Sequence, residues 1–390
     1  MAPVTARRVV GLDFLRCCAI GCVLLAHGLT FLYPHVGGVL LWPGFGLSLY
    51  DLGHLGSFGV ELFFVLSGFL IGGILLGVGP RLAEGAELLR FYCRRWFRTL
   101  PNYYLFLLIN IAFLLWIFPQ PIPWGQAARY LVFLQTFTGR HTFFFLESWS
   151  LCIEEWFYLI FPLLVFLVLR MRRNVTFAFL LVIVALYLAS SIGRFFYAAN
   201  PANTWADDIR ETVLIRFDAL MTGVLAAWVA SRHPGAFARA PRLCALAGAA
   251  LLLFCYCTCY WYNADNETLF AKTVRFNLIS LGFALLMPLG AGAQATRSAW
   301  FNASAESFAR WSYSMYLVHL PIHRLLRERW FPKNQTSALQ GCLAFGAFLA
   351  GTIVLSALIY RFFERPATRM RTRFAFSREP AAPGPPVPVD

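Results

Sequence analysis

Runs of about 20 apolar residues recur along the chain with short polar breaks between them, and that is the length a helix needs to cross a bilayer. In lipid every backbone N–H and C=O must be satisfied within the protein, so such runs predict membrane-crossing helices. Ten spans are expected, near residues 10–32, 57–79, 101–119, 150–169, 175–196, 212–231, 243–262, 273–291, 309–324 and 338–362. The predicted fold class is all-α, a polytopic transmembrane helical bundle of about ten spans. Composition agrees: 59% of residues are hydrophobic and only 13% are charged, against about 25% charged in a soluble domain. The principal partner of this surface is the lipid bilayer. The segments at 150 and 309 carry polar groups, so a broken or re-entrant helix is an option there, tolerated where protein or a wet cavity covers it.

A net charge of +14 suggests nucleic acid only when basic residues cluster on a water-facing surface. Here they sit in short loops, and no nucleic-acid partner is expected. Loop arginines favour the cytoplasmic side of a membrane. With the amino terminus inside, Arg7, Arg8, Arg81, Arg90, Arg94, Arg95, Arg98, Arg170, Arg172, Arg173, Arg232, Arg239, Arg242 and the tail from Arg365 to Arg378 fall on one side. The loop 32–58 on the other side has no arginine or lysine, whereas the loop after the ninth span, with Arg324, Arg327, Arg329 and Lys333, runs against the trend. An even number of spans with both termini cytoplasmic, in the cell (inner) membrane, is the best fit. Asp13, Arg16 and His27 in the first apolar run argue against a cleavable signal peptide. Residues 371–390 are expected to form a disordered cytoplasmic tail, since 379–390 is rich in proline and alanine and poor in apolar content. The ten cysteines lie mainly in apolar runs without metal-site flanks, where cysteine serves as a small hydrophobe. No metal is expected.

Charged groups in a bilayer are costly and usually face the bundle interior or a water-filled cavity. Arg16 and His27 are eleven residues apart, which at about 100° per residue puts them on nearly the same helix face, about 16 Å apart along the axis. Neutral imidazole takes up a proton at physiological pH and suits a general base that activates a hydroxyl. A packing histidine is the other reading, and Arg16 on the same face tips the balance toward function. Asp13 is positioned to pair with Arg16. Glu61 and Ser67 interrupt the second run; Glu61 is expected near interfacial water and Ser67 as a small residue that lets helices approach. Arg94, Arg95 and Arg98 form a basic cluster before the third span, with Pro101 suited to its first turn. The cluster is either a topological anchor or a phosphate site, because guanidinium groups pair with phosphates in bidentate fashion. Glu147, Trp149, Ser150, Glu154 and Glu155 crowd the start of the fourth run, and a carboxylate meeting His27 could orient its ring. Arg216 and Asp218 occupy the sixth span; His319, in the ninth, reads as structural or catalytic.

Seven strings in order resemble the acyltransferase-3 family of multispan membrane proteins. They are Arg16 with His27; the run Gly59 to Ile71; Arg94, Arg95 and Arg98 with Pro101 and Tyr103; Trp149, Ser150 and Leu151 with Glu154; Arg216 with Asp218 and Gly223; Ser312, Tyr313, Tyr316, Leu317 and His319; and Glu364, Arg365 and Pro366. The resemblance covers 12–366, and makes residues 1–370 a transmembrane acyltransferase domain. It implies transfer of an acyl group, most often acetyl, from coenzyme A to a hydroxyl of a carbohydrate. By the same resemblance His27 is the catalytic histidine, Arg16 its partner, and Glu154 an active-site carboxylate. Arg94, Arg95 and Arg98 would contact the coenzyme A phosphates, and Trp149, Ser150, Tyr316 and His319 would line the substrate site. Some relatives carry an extracytoplasmic hydrolase-like domain, which is expected to be lacking here.

The expected reaction has acyl-CoA entering from the cytoplasm and an extracytoplasmic glycan or glycolipid approaching from the far side, with His27 as base or as carrier of the acyl group. The rival is a multispan solute or proton-coupled transporter whose path is lined by Arg16, His27, Glu154 and Arg216. Internal repeats and paired broken helices mark many transporters, and neither is evident in the sequence.

Overall fold

A computed structural model describes residues 9–36, 40–42, 47–138, 144–261, 267–332 and 337–374. Arg7, Arg8, Lys333 and the tail 375–390 lie outside the described residues. Among the described residues ten long helices follow the ten apolar runs: α1 Val10–Leu29, α2 Leu55–Val78, α3 Gly85–Ala112, α4 Ser148–Met171, α5 Val175–Ala198, α6 Phe217–Arg232, α7 Pro241–Trp261, α8 Val274–Gly292, α9 Ala299–Leu325 and α10 Ala338–Ile359. Eight of them are long and apolar enough to cross a membrane. The two that are not are α6 and α9. α6 has 16 residues, about 24 Å of helix against a hydrocarbon thickness of about 30 Å, and it lies within the bundle behind a short turn, Val213–Ile215. α9 is long enough, at 27 residues, but carries too many polar groups. Leucines exposed along the helices, such as Leu108, Leu246 and Leu253, face outward, as expected where lipid is the solvent. A small hairpin, β1 Leu40–Trp42 antiparallel to β2 Leu47–Ser48, decorates the loop after α1.

Three expectations are corrected. α3 starts at Gly85 and not near 101, so Arg94, Arg95 and Arg98 lie within the helix and Pro101 lies in its interior. Arginine is a good helix former, and a hydropathy reading starts the span late because these side chains turn toward protein and cavity rather than lipid. α4 and α9 are each continuous through the polar positions that suggested a break. Glu61 does not reach interfacial water: it is 3% exposed and ion-paired with Arg216.

That pair belongs to a buried charge cluster that ties four helices together. Arg194 of α5 bonds Asp218 of α6 at 2.9 Å. Asn277 of α8 accepts from Arg194 at 2.7 Å and donates to Tyr187 and Ser191 of α5 at 2.9 and 3.0 Å. Glu61 of α2 closes the set through Arg216, which precedes α6. Two guanidinium and two carboxylate groups balance, so that no net charge is buried, and removing any one of them would leave an uncompensated charge.

The α2–α6 crossing rests on two glycines. A Cβ on Gly68 would meet the Leu220 carbonyl oxygen at 2.0 Å, and one on Gly223 would meet the Val65 carbonyl oxygen at 2.1 Å. Backbone therefore lies directly on backbone, the close approach that small residues permit between membrane helices.

Candidate active site

The last turns of α1, the first of α2, the entry to α4 and the C-terminal half of α9 enclose a cavity of about 980 Å³ at one end of the bundle. His27 projects into it, and two histidines of α9 face it: the His319 and His323 rings lie 5.0 and 6.2 Å from the His27 ring. His319 is 1% exposed, and its Nδ1 lies 2.6 Å from the carbonyl oxygen of Tyr316. His323 Nε2 lies 2.7 Å from the hydroxyl of Thr30. Glu147, Trp149 and Arg210 complete the working part of the lining. The Arg210 guanidinium sits over the Trp149 ring at 4.9 Å and pairs with Glu211 at 3.1 Å. Glu147 is 3% exposed and its Oε1 has no hydrogen-bond partner among the described residues. Aromatic faces beside carboxyl and imidazole groups make a wall able to seat a polyol and to take a proton from it.

Toward the other end lies a smaller cavity of about 190 Å³ lined by Arg16, Arg95 and Arg98, with Ser67, Ser150, Glu154 and Tyr158. Arg16 pairs with Asp13 at 3.3 Å, as its spacing predicts. Arg95 stacks on Tyr158 with its guanidinium carbon 4.0 Å from the ring centre, while Arg98 is exposed. Glu154 accepts hydrogen bonds from Ser67 at 2.8 Å and Tyr158 at 2.7 Å. Ser67, expected only to let helices approach, is thus a hydrogen-bonding member of this cavity. Behind it, Glu364 accepts from Ser314 at 2.6 Å and Asn102 at 3.0 Å, anchoring the C-terminal segment to α9 and α3. This is a cationic pocket with a carboxylate held by hydroxyls, suited to an anionic ligand that also offers polar groups.

The two cavities share Val60 and Tyr316 in their linings. The Tyr316 hydroxyl lies 2.6 Å from Ser150 Oγ and donates to the Glu147 carbonyl oxygen at 3.3 Å.

The sequence-derived candidates therefore divide. His27, Trp149, His319 and Tyr316 come together in the larger cavity; Arg16, Arg95, Arg98, Ser150, Glu154 and Tyr316 line the smaller one. Arg94 lines neither. Glu154 and His27 are in different cavities; the carboxylates that line the chamber of His27 are Glu147, Asp207 and Glu211. Sequence reasoning noticed Glu147 but gave it no role, and it missed His323 and Arg210. His323 had a signal, since it stands four residues after His319 and so on the same helix face. Arg210, on a non-helical stretch, had none. Among the described residues no group of three His, Cys, Asp or Glu side chains is arranged to hold a metal ion.

A family model described as an acyltransferase domain matches residues 9–361. The peptidoglycan O-acetyltransferase OatA of Listeria monocytogenes is 24% identical over 338 residues, covering 80% of this chain and 51% of that protein. The O-acetyltransferase OatA of Staphylococcus aureus is 31% identical over 160 residues, covering 36% of this chain and 26% of that protein. The acyltransferase MdmB of Streptomyces mycarofaciens is 26% identical over 376 residues and covers 88% of each chain. The chain thus spans about half the length of the Listeria relative and all but a small part of the Streptomyces one. No solved structure matches. That family model, which matches all but the ends of the helical bundle, places this chain in the acyltransferase-3 family.

Proposed function

We propose that this chain is a membrane O-acetyltransferase that moves an acetyl group from cytoplasmic acetyl-CoA to a hydroxyl of an extracytoplasmic glycan or glycolipid. The observation that carries the reading is the pair of cavities in contact at Tyr316, one cationic and one holding His27. Family membership favours acyl transfer over the transporter alternative, and the names of the OatA relatives bring acetyl as the group and a cell-wall polymer as a precedent for the acceptor.

The smaller cavity, about 190 Å³, takes the thioester end of the donor and leaves the nucleotide and its phosphates at the mouth. There Arg98, exposed, and Arg95 offer paired N–H donors to phosphate oxygens. The larger cavity receives the acceptor, with Trp149 as an apolar platform for a sugar ring. Within it His27 takes the proton of the attacking hydroxyl as the acceptor oxygen bonds the acyl carbon. The carbon–sulfur bond then breaks, and the proton passes from His27 to the departing coenzyme A sulfur. Arg16 and Arg95 hold the donor in line, and Glu154 is a positioning residue among the hydroxyls of Ser67 and Tyr158. The orientation that fits has both termini in the cytoplasm of a cell whose inner membrane holds the protein, because Arg16 and Arg95 lie toward the amino-terminal ends of α1 and α3.

Surface glycans from cells expressing the wild-type chain and His27→Ala test the reading. Base-labile acetyl esters are expected with the wild type and not with the variant, at equal amounts of protein in the membrane. Esters formed at the wild-type level by His27→Ala would overturn it.

A further inference from the structure

Resting on the acyl-transfer reading above, we propose that the Tyr316 hydroxyl is the hydrogen-bond donor that receives the negative charge built on the thioester carbonyl oxygen during transfer. Tyr316 is the polar side chain common to the linings of the two cavities, the other shared residue being Val60. An acyl group held by the arginines and a hydroxyl held beside His27 therefore meet at this residue. The Tyr316 ring centre is 5.5 Å from that of His319, which is 5.0 Å from that of His27. His319 is thus a ring neighbour of both the phenol and the proposed base, and all three line the larger cavity.

The hydroxyl is already part of a local relay. Ser150 Oγ lies 2.6 Å away, and both hydroxyls can donate to the Glu147 carbonyl oxygen at 3.3 Å. When a carbonyl oxygen arrives, the phenol exchanges one acceptor for another, which costs little because the number of hydrogen bonds is kept. The first turn of α4 reinforces the preference for an anion. Trp149 lines one cavity and Ser150 the other, and both lie in the first turn of α4, which begins without a side-chain cap and carries the positive end of the helix dipole.

In the step itself the acceptor oxygen forms its bond to the acyl carbon while His27 takes the proton. The carbonyl π pair moves onto oxygen, where the Tyr316 O–H holds it. The pair returns, the carbon–sulfur bond breaks, and His27 protonates the sulfur. The charge exists only between these two events, so the contact strengthens in the transition state and acts on kcat rather than on donor binding.

The test uses membrane vesicles from cells expressing the full chain, which also hold the natural acceptor, supplied with radiolabelled acetyl-CoA. Tyr316→Phe keeps the ring and loses only the oxygen. It is expected to lower kcat by about 100- to 1,000-fold, the usual cost of one such donor, with KM for acetyl-CoA within about threefold of wild type. Fluorinated tyrosines at position 316 supply a second readout: the rate should change in step with the acidity of the phenol, which a packing role would not produce. Tyr316→Phe with wild-type kcat, or a loss confined to KM, would overturn the inference alone, since wild-type turnover would still stand. Vesicles in which the wild type consumes no acetyl-CoA would instead remove the acyl-transfer reading and this inference with it.

Discussion

At the scale of single residues the structure redistributes the charges. Glu61, Arg194, Arg216 and Asp218 are ion-paired with one another, so their place in the membrane is explained without substrate. Glu147 instead lines the cavity that holds His27, buried and with an unpartnered oxygen, just ahead of the α4 span. Burial pushes its carboxyl up from 4.5 to about 8, partly offset by a bond to its own backbone. The folded chain therefore keeps this proton through neutral pH while the unfolded chain has lost it. By linkage, the stability that Glu147 supplies is full below about 4.5 and falls as pH rises toward about 8, above which the loss levels off. Glu147→Gln cannot ionise and should gain on the wild type across that window. Thermal melting in detergent at about pH 5 and about pH 9 reads the difference; an equal offset at both would show that the carboxyl is not titrating as described.

Among the elements, α2 and α6 are decided by contact rather than by hydropathy. The strings around Gly59 to Ile71 and Arg216 to Gly223 looked like separate family signatures. They are the two sides of one crossing, since Gly68 lies on the Leu220 carbonyl and Gly223 on the Val65 carbonyl. The same crossing brings Glu61 to Arg216. Gly223→Ala should force these backbones apart and lower the melting temperature and the folded yield sharply, overpacking of this kind costing about 1–3 kcal/mol or more. Gly73→Ala on α2, where a Cβ would meet nothing within 4 Å, is the matched control and should fold like the wild type. Similar behaviour of the two variants would contradict the close crossing. α3 carries the related lesson that an arginine-bearing helix can extend beyond its apolar run, because its polar face has a cavity to line.

For the molecule as a whole, the proposed transfer requires the two chambers to open toward opposite sides of the membrane. Arg81, between α2 and α3, and Trp124, between α3 and α4, are both exposed. In a background with Cys342→Ser, a cysteine at Arg81 should react with a membrane-impermeant thiol reagent only after cells are opened. A cysteine at Trp124 should react in intact cells. The reverse pattern would invert the proposed orientation and put the arginine mouth outside, away from cytoplasmic acetyl-CoA.

Much of this was determined by the sequence alone. Ten apolar runs became ten helices because the length of a span and the need to satisfy its backbone in lipid are local properties of a segment. The pairing of Asp13 with Arg16 was likewise legible from spacing along one helix. Which chamber each side chain enters was decided only by the tertiary structure. Arg16 and His27 share a helix yet line different cavities, Glu147 rather than Glu154 lines the one that holds the histidine, and Tyr316 lines both. Those relations depend on how α1, α2, α4 and α9 cross, and helix crossings are set by packing among residues far apart in the chain, which no local period records.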